Sequence, residues 1–313
     1  MYSKKRGLHK PHRSGSNRAT TTAIRTEYRP SQRKYFYDSP TTHKIFGMKP
    51  FLNIERHGHV MLVVMNRPET RNALSDDGII EEFLSCCETI NLDISVRAVI
   101  LTGTGPAFSS GGNLKTIRDK MGAGLGEPVL SRQAYRNGIQ KLPLGWCNLE
   151  VPTIAAVNGA AFGAGNDLTT MCDIRIASER ATFSETFVKL GLIAGDGGAW
   201  LLPRAIGLSK ACQMAFTGEV IDAAKALEWG LVSEVTPHDD LMAAAFRMAD
   251  QIALNPPHAL RMTKRLIREG LHMRLDSLLE MSAAMQALAH HTEEHEAALA
   301  GLLPGKRASS DDK

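Results

Sequence analysis

The sequence predicts an α/β core followed by a helical C-terminal extension, and three observations carry that prediction. Two short apolar runs, RAVILTG and VPTIAAVNG, each end in a glycine, as buried strands do when the chain must turn sharply. Each is followed by a loop of small residues and then a segment of helical periodicity, the alternation that builds parallel sheets. Asn255-Pro256-Pro257 then interrupts the chain, and the residues beyond it have helical spacing to the end.

Taken in order, FLNIERHGHVMLVVMNRP reads as two strands joined at His57-Gly58, because β-branched and apolar residues flank a turn. Ser75 is placed to cap a helix SDDGIIEEFLSCCETIN, with Ile79, Ile80, Phe83, Leu84 and Cys87 on one face. RAVILTG is a strand that releases the loop TGPAFSSGGNL at Gly103. A helix over about 130–149 precedes the strand VPTIAAVNG, and AAFGAGNDLTTMC supplies a turn and a helix. DIRIAS is a further strand; AAKALEWG, DLMAAAFRMADQIA and HALRMTKRLIREG are helices. These boundaries divide the chain into a basic N-terminal extension (1–47), an α/β core (48–254) and a helical C-terminal region (255–313).

Composition narrows the class. With 43% hydrophobic and 22% charged residues the chain has material for a sizeable core. Its five cysteines show neither CxxC nor zinc spacing, and an odd count argues against a disulfide framework, so a reducing compartment is expected. No run of about 18 apolar residues predicts a membrane span.

The net charge of +4 is unevenly placed: residues 1–47 hold eleven Lys or Arg against Glu27 and Asp38, leaving −5 for the remainder. The N-terminal stretch has too few large aliphatics to bury surface and is expected to be disordered. Three readings of it stand side by side: an arm for nucleic acid or an anionic surface, an organellar transit peptide, and an extension without function upstream of a start at Met48. The corresponding expectation for location is the cytoplasm, with the mitochondrial matrix as the alternative.

The chemical lead is the pair of small-residue loops, FSSGGNL (108–114) and AFGAGND (161–167), each at the end of a buried strand. Two backbone N–H groups aimed at one point make an oxyanion hole, and small side chains let a ligand come close; tight turns alone would also explain the glycines. GxxxxGK[ST] is absent, and no GxGxxG leads from a strand into a helix, so neither loop is a phosphate cradle. No GxSxG is present, which argues against acyl-enzyme chemistry on serine. His291 and His295 in HHTEEHEA stand one helical turn apart, but a solvated helix face explains them without a metal. Lys264, Arg265 and Arg268 likewise read as a solvated basic stripe.

In order along the chain, NRPETRNAL (66–74), AFSSGGNL (107–114), VPTIAAVNGAAFGAGNDLTTMCDIRIAS (151–178), FVKLGLIAGDGG (187–198), FTGEVIDAAKALEWGLVSEV (216–235) and NPPHALRMTKRLI resemble the enoyl-CoA hydratase/isomerase family, the crotonases. The resemblance runs from about residue 48 to about residue 307. It implies a spiral of ββα units, commonly assembled as trimers or hexamers. It also implies an acyl-CoA thioester as ligand, no cofactor beyond that coenzyme A, and a thioester carbonyl held by two backbone amides, placed by position at Ser110 and Ala164. Arg71 and Ala73 fall in the family's CoA-facing turn; Gly111, Gly112, Asn113 and Phe187 are further expected substrate neighbours. Asn113 stands where an aspartate is usual.

Hydratases of this family use two glutamates, and here the resemblance gives a departure. Asp167 occupies the first position, one methylene shorter. The second falls on Phe187, which can neither give nor take a proton. Asp196, in a glycine-flanked loop, is the expected replacement; other branches of the family, dehalogenases and dienoyl-CoA isomerases, carry an aspartate at about this point. Glu185 is the other candidate, but in an extended stretch it shares a face with Phe187 and needs a local bend to serve. The expected function is a lyase or isomerase of acyl-CoA thioesters that stabilises an enolate, with Asp167 and Asp196 as acid and base. The alternative is a non-catalytic CoA-binding member whose basic extension meets RNA or protein, although nucleic acid is not the expected partner.

Overall fold

The computed structural model describes residues 49–302, apart from 77, 117 and 119–126; the basic extension and the end of the chain lie outside the described residues. Among the described residues ten strands form two sheets. The larger has the order β1-β2-β3-β5-β7-β10, from β1 (Leu52–His57), β2 (Val60–Met65), β3 (Ala98–Gly103), β5 (Thr153–Val157), β7 (Ile174–Ser178) and β10 (Glu234–Thr236). Only the β1–β2 hairpin is antiparallel; its turn carries Gly58 at φ +60°, as expected at His57-Gly58.

The apolar runs are continuous because both faces of this sheet are covered. Side chains alternate between two cores: Met61, Val63, Val99, Leu101, Ala155 and Val157 on one face, Val60, Leu62, Ala98, Ile100, Ile154 and Ala156 on the other. The second face is closed by the helix at Leu241–Ala253, whose Leu241, Ala244, Ala245, Ala249 and Ala253 are buried at helical spacing. The first receives α1 (Ile79–Leu92), where Phe83 meets Trp146 edge-on at 5.5 Å. Ser75 does not cap α1. The cap is Gly78 at φ +84°, and the Ser75 hydroxyl instead accepts the Asn113 N–H at 2.7 Å.

The region expected as one helix is two, α2 (Pro128–Asn137) and α3 (Lys141–Cys147), separated at Gly138. Remaining helices are α4 (Ala164–Met171), α5 (Gly198–Ile206), α6 (Leu208–Thr217), α7 (Ala223–Glu228), α8 (Leu241–Ala253), α9 (Pro257–Glu269), α10 (Leu275–Ala289) and α11 (Glu293–Leu302). None of the described helices is long and apolar enough to cross a membrane.

The second sheet is what the sequence pattern did not reveal. Its strands β4 (Ala107–Ser109), β6 (Ala160–Phe162), β8 (Thr182–Ser184) and β9 (Ile221–Asp222) are two or three residues long, too short to show alternation. β4, β6 and β8 are parallel neighbours, so their C-terminal ends emerge on one side. That edge delivers Ser110, Gly163 and Glu185 to the same place, the usual position for a site in parallel sheets.

Candidate active site

A cleft of about 1230 Å³ opens at this edge. Its floor is made by residues 110–113 after β4 and 162–164 at the end of β6, and its walls include Leu74, Tyr135, Ile139, Phe187, Leu192 and Ile193. Arg67, Arg71 and Lys189 line it as well. Arg67 is paired with Asp76 at 3.3 Å, whereas Arg71 and Lys189 have no acidic partner among the described residues. Arg71 and Asn72 adopt left-handed conformations, each at φ +54°. The buried Asn72 side chain holds that turn by accepting the Arg67 N–H (2.9 Å) and donating to Thr104 O and Ala107 O (3.0 and 2.9 Å). Ala73 is therefore turned into the core, 1% exposed and absent from the cleft lining, contrary to its expected place beside the substrate.

The same turn decides which amides are free. Ser110 N–H donates to Arg71 O at 2.8 Å and its hydroxyl donates to Thr70 O at 3.1 Å, so the Ser110 amide is consumed by the fold and is not available to a carbonyl. Two residues on, the Gly112 N–H has no acceptor among the described residues and Gly112 lines the cleft. Ala164 is the first residue of α4, where N–H groups have no intrahelical partner, and it too lines the cleft. Between them Gly111, at φ +74°, packs so tightly that a Cβ would stand 2.4 Å from Phe162 O and 2.9 Å from Ala164 N. Asn113 is occupied locally, its side-chain oxygen accepting the Lys115 N–H at 3.0 Å.

Three carboxyl groups meet behind this floor. Asp167 is on the first turn of α4, Asp196 precedes α5, and Glu185 follows β8. Glu185 supplies the bend an extended reading lacks: its φ −93°, ψ 76° ends the strand and a 3₁₀ turn, Thr186–Leu190, begins. The bend turns the Glu185 carboxyl inward, where Asn166 Nδ2 donates to its Oε1, while Phe187 goes to the cleft wall with its ring over Gly163. Asp167 is brought to both of the others: its neighbour Asn166 donates to Glu185, Gly198, two residues past Asp196, packs against Asp167 Oδ1, and the charges of Glu185 and Asp196 both act on it.

Among the described residues, both oxygens of Asp167, Oε2 of Glu185 and Oδ1 of Asp196 find no N–H or O–H donor, so oxygen faces oxygen until a carboxyl carries a proton. Burial, and then the neighbouring charges of Glu185 and Asp196, hold Asp167 well above the usual carboxylate range. Burial pushes Glu185 up to about 7 against the hydrogen bonds of Asn166 and Asp167, and it raises Asp196 as well. Asp196 alone of the three lines the cleft, at 4% exposure. Asp167, fully buried, stands behind it, which corrects its expected place against the substrate; a side chain one methylene shorter than glutamate reaches less far. The packing is close: a Cβ on Gly198 would stand 2.0 Å from Asp167 Oδ1.

A sequence model of the enoyl-CoA hydratase/isomerase family matches residues 55–304. The chain belongs to the enoyl-CoA hydratase/isomerase family. A probable mitochondrial enoyl-CoA hydratase of Dictyostelium discoideum is 37% identical over 74% of this chain and 80% of its own length. The 1,2-epoxyphenylacetyl-CoA isomerase of Escherichia coli is 32% identical over 78% of this chain and 92% of its own. Among solved structures, an enoyl-CoA hydratase from Bacillus anthracis superposes with a TM-score of 0.75 at 34% identity, covering 81% of this chain and 96% of that one.

Two expectations outside the cleft of this enoyl-CoA hydratase/isomerase family member are corrected. The stripe on α9 is not solvated: Lys264 is 7% exposed and donates to Val151 O at 2.8 Å while pairing with Asp173 at 2.8 Å. Arg268 pairs with Asp173 at 2.6 Å and donates to Met171 O, and the buried Arg261 donates to Asn91 O and Asp93 O. These cations seal the carbonyl ends of α4 and α1, where positive charge is favoured; Arg265 remains outside with Glu269. The histidines that approach one another are His290 and His295 (3.2 Å), because α10 ends before His291 and no single helix carries His291 and His295. Among the described residues no grouping of His, Cys, Asp and Glu suits a metal ion.

Proposed function

We propose that the cleft binds an acyl-CoA thioester and catalyses proton transfer through its enolate, moving a double bond along the acyl chain. The observation that carries this reading is that one carboxyl, Asp196, lines a cleft whose wall includes Phe187. A base next to two unpaired amides can take a proton from a carbon beside the thioester and return it elsewhere. Hydration asks for a second carboxylate to hold water on the cleft side, and phenylalanine offers it nothing.

The amides of Gly112 and Ala164 would polarise the thioester oxygen, each typically worth about 3 kcal/mol of barrier. Arg71 and Lys189 suit the coenzyme's phosphates, and the apolar wall at Tyr135, Ile139 and Ile193 suits the acyl chain. The similarity to the 1,2-epoxyphenylacetyl-CoA isomerase of Escherichia coli supports an acyl-CoA thioester as substrate. Assembly as a trimer or hexamer, implied by the family resemblance, belongs to the same proposal.

The test is incubation with a panel of 2-enoyl-, 3-enoyl- and 3-hydroxyacyl-CoA thioesters in D₂O, followed by mass spectrometry. Deuterium entering the acyl chain together with 2-enoyl/3-enoyl interconversion is the expected result. Rapid addition of water to short straight-chain 2-enoyl-CoA without isomerisation would overturn it.

A further inference from the structure

Asp196 stands in front of two further carboxyls that nothing in the proposed reaction has yet used. Their surroundings are unusual in one respect: Asn166 is the donor side chain turned toward them, and among the described residues no Lys, Arg or His pairs with Asp167, Glu185 or Asp196. Asp167 is flanked by both of the others, which come from different segments: its neighbour Asn166 donates to Glu185, and Gly198, two residues past Asp196, packs against Asp167 Oδ1. Asn166 fixes one Glu185 oxygen and leaves Oε2 without a donor. Beyond the Asn166 amide and the Asp196 backbone N–H, Asp167 Oδ1 and Oδ2, Glu185 Oε2 and Asp196 Oδ1 have no donor among the described residues, and shared protons would satisfy them.

We propose that Glu185 is a positioning residue for the reaction, offering a second acceptor to a proton held on Asp167, so that the Asp167 O–H turns between Asp196 and Glu185 as Asp196 changes charge. The proposal rests on the acyl-CoA reading above. When Asp196 is ionised it accepts the Asp167 hydrogen bond, which keeps the base charged in a buried setting. When Asp196 takes the substrate proton, the C–H bond breaks, its electron pair stays on the thioester enolate, and the Asp167 O–H swings to the Glu185 carboxylate. Return of the proton from Asp196 to the acyl chain reverses the swing. Asp167 keeps its own proton throughout, so no charge leaves the cluster and no water need enter it.

Glu185 does not line the cleft, so the arrangement predicts a loss in turnover without a loss in binding. In Glu185→Gln an amide N–H replaces the acceptor and the Asp167 O–H has nowhere to turn. The expected effect is a fall in kcat of about 10- to 100-fold, the worth of one charge-assisted hydrogen bond, with KM little changed and the basic limb of the kcat–pH profile displaced. Glu185→Asp, which keeps the acceptor, should recover much of the loss. Independently of turnover and of any variant, infrared spectra of the substrate-free protein at neutral pH should contain a protonated-carboxyl C=O stretch. That band should lose the Asp167 contribution in Asp167→Asn, leaving that of Glu185, and shift in Glu185→Gln.

A folded Glu185→Gln protein with unchanged kcat and pH profile would overturn the proposal, and so would the absence of a protonated-carboxyl band in the wild type. If no thioester is turned over, the acyl-CoA reading fails, while the infrared band still decides whether a proton is held in the cluster.

Discussion

Two clusters of ionisable groups in this protein have been given opposite surroundings. At the end of α4, Asp173 is embedded between Lys264 and Arg268; burial works to raise its carboxyl, yet the two cations bring it below the usual range. Near the start of the same helix, Asp167, Glu185 and Asp196 are more deeply buried than the Asp173 side chain, with no cation paired to them among the described residues, and all three are raised. One arrangement fixes charge and closes a helix end; the other leaves protons to be exchanged beside a cleft. Loss of solvent raises the carboxyls in both, and the partner decides which is structural and which is chemical.

Breaking the second cluster should cost activity before stability. Asp196→Asn is expected to lower kcat by about 10²–10⁴-fold, the range for removing a positioned acid–base group, while leaving thermal stability undiminished because an unpaired buried carboxyl is lost. Breaking the first should do the reverse. Lys264→Met leaves Asp173 with Arg268 alone and is expected to cost about 3 kcal/mol of unfolding free energy, read by denaturant titration, with kcat little changed.

The smallest effect lies in pH. Glu185 is raised from an ordinary 4.5 to about 7, so the folded state binds its proton more tightly than the unfolded state. Its contribution to stability is complete below about 4.5 and is lost as pH rises through about 7. Asp173, held low, behaves oppositely: its contribution is present above the ordinary 3.8 and is lost as pH falls through its folded value. The midpoint of thermal unfolding should therefore decline as pH rises from 4.5 through about 7 in the wild type and decline less in Glu185→Gln, measured by calorimetry.

These opposite surroundings also explain how far the sequence could be read. The long strands were legible because burial on both faces writes continuous apolar runs, and Asp167 and Asp196 stood out as acids among apolar residues and glycines. Glu185 ranked behind Asp196, because its inward turn depends on a 3₁₀ turn starting one residue later. The Ser110 amide looked free because its acceptor, Arg71 O, comes from a distant turn in left-handed backbone. On α9, spacing correctly put Lys264 and Arg268 on one face, but periodicity says which residues travel together and not what they meet. Here they meet carbonyl ends and Asp173, an encounter made by the tertiary fold.

The contrast between the clusters is tested most directly by following the side-chain carboxyl carbons of Asp167 and Asp173 by NMR through a pH titration of the substrate-free protein. At neutral pH Asp167 is expected to remain protonated while Asp173 is ionised, and Asp173 is expected to stay ionised to below 3.8. Both carbons titrating together in the ordinary carboxylate range would contradict the assignment of one cluster to structure and the other to chemistry.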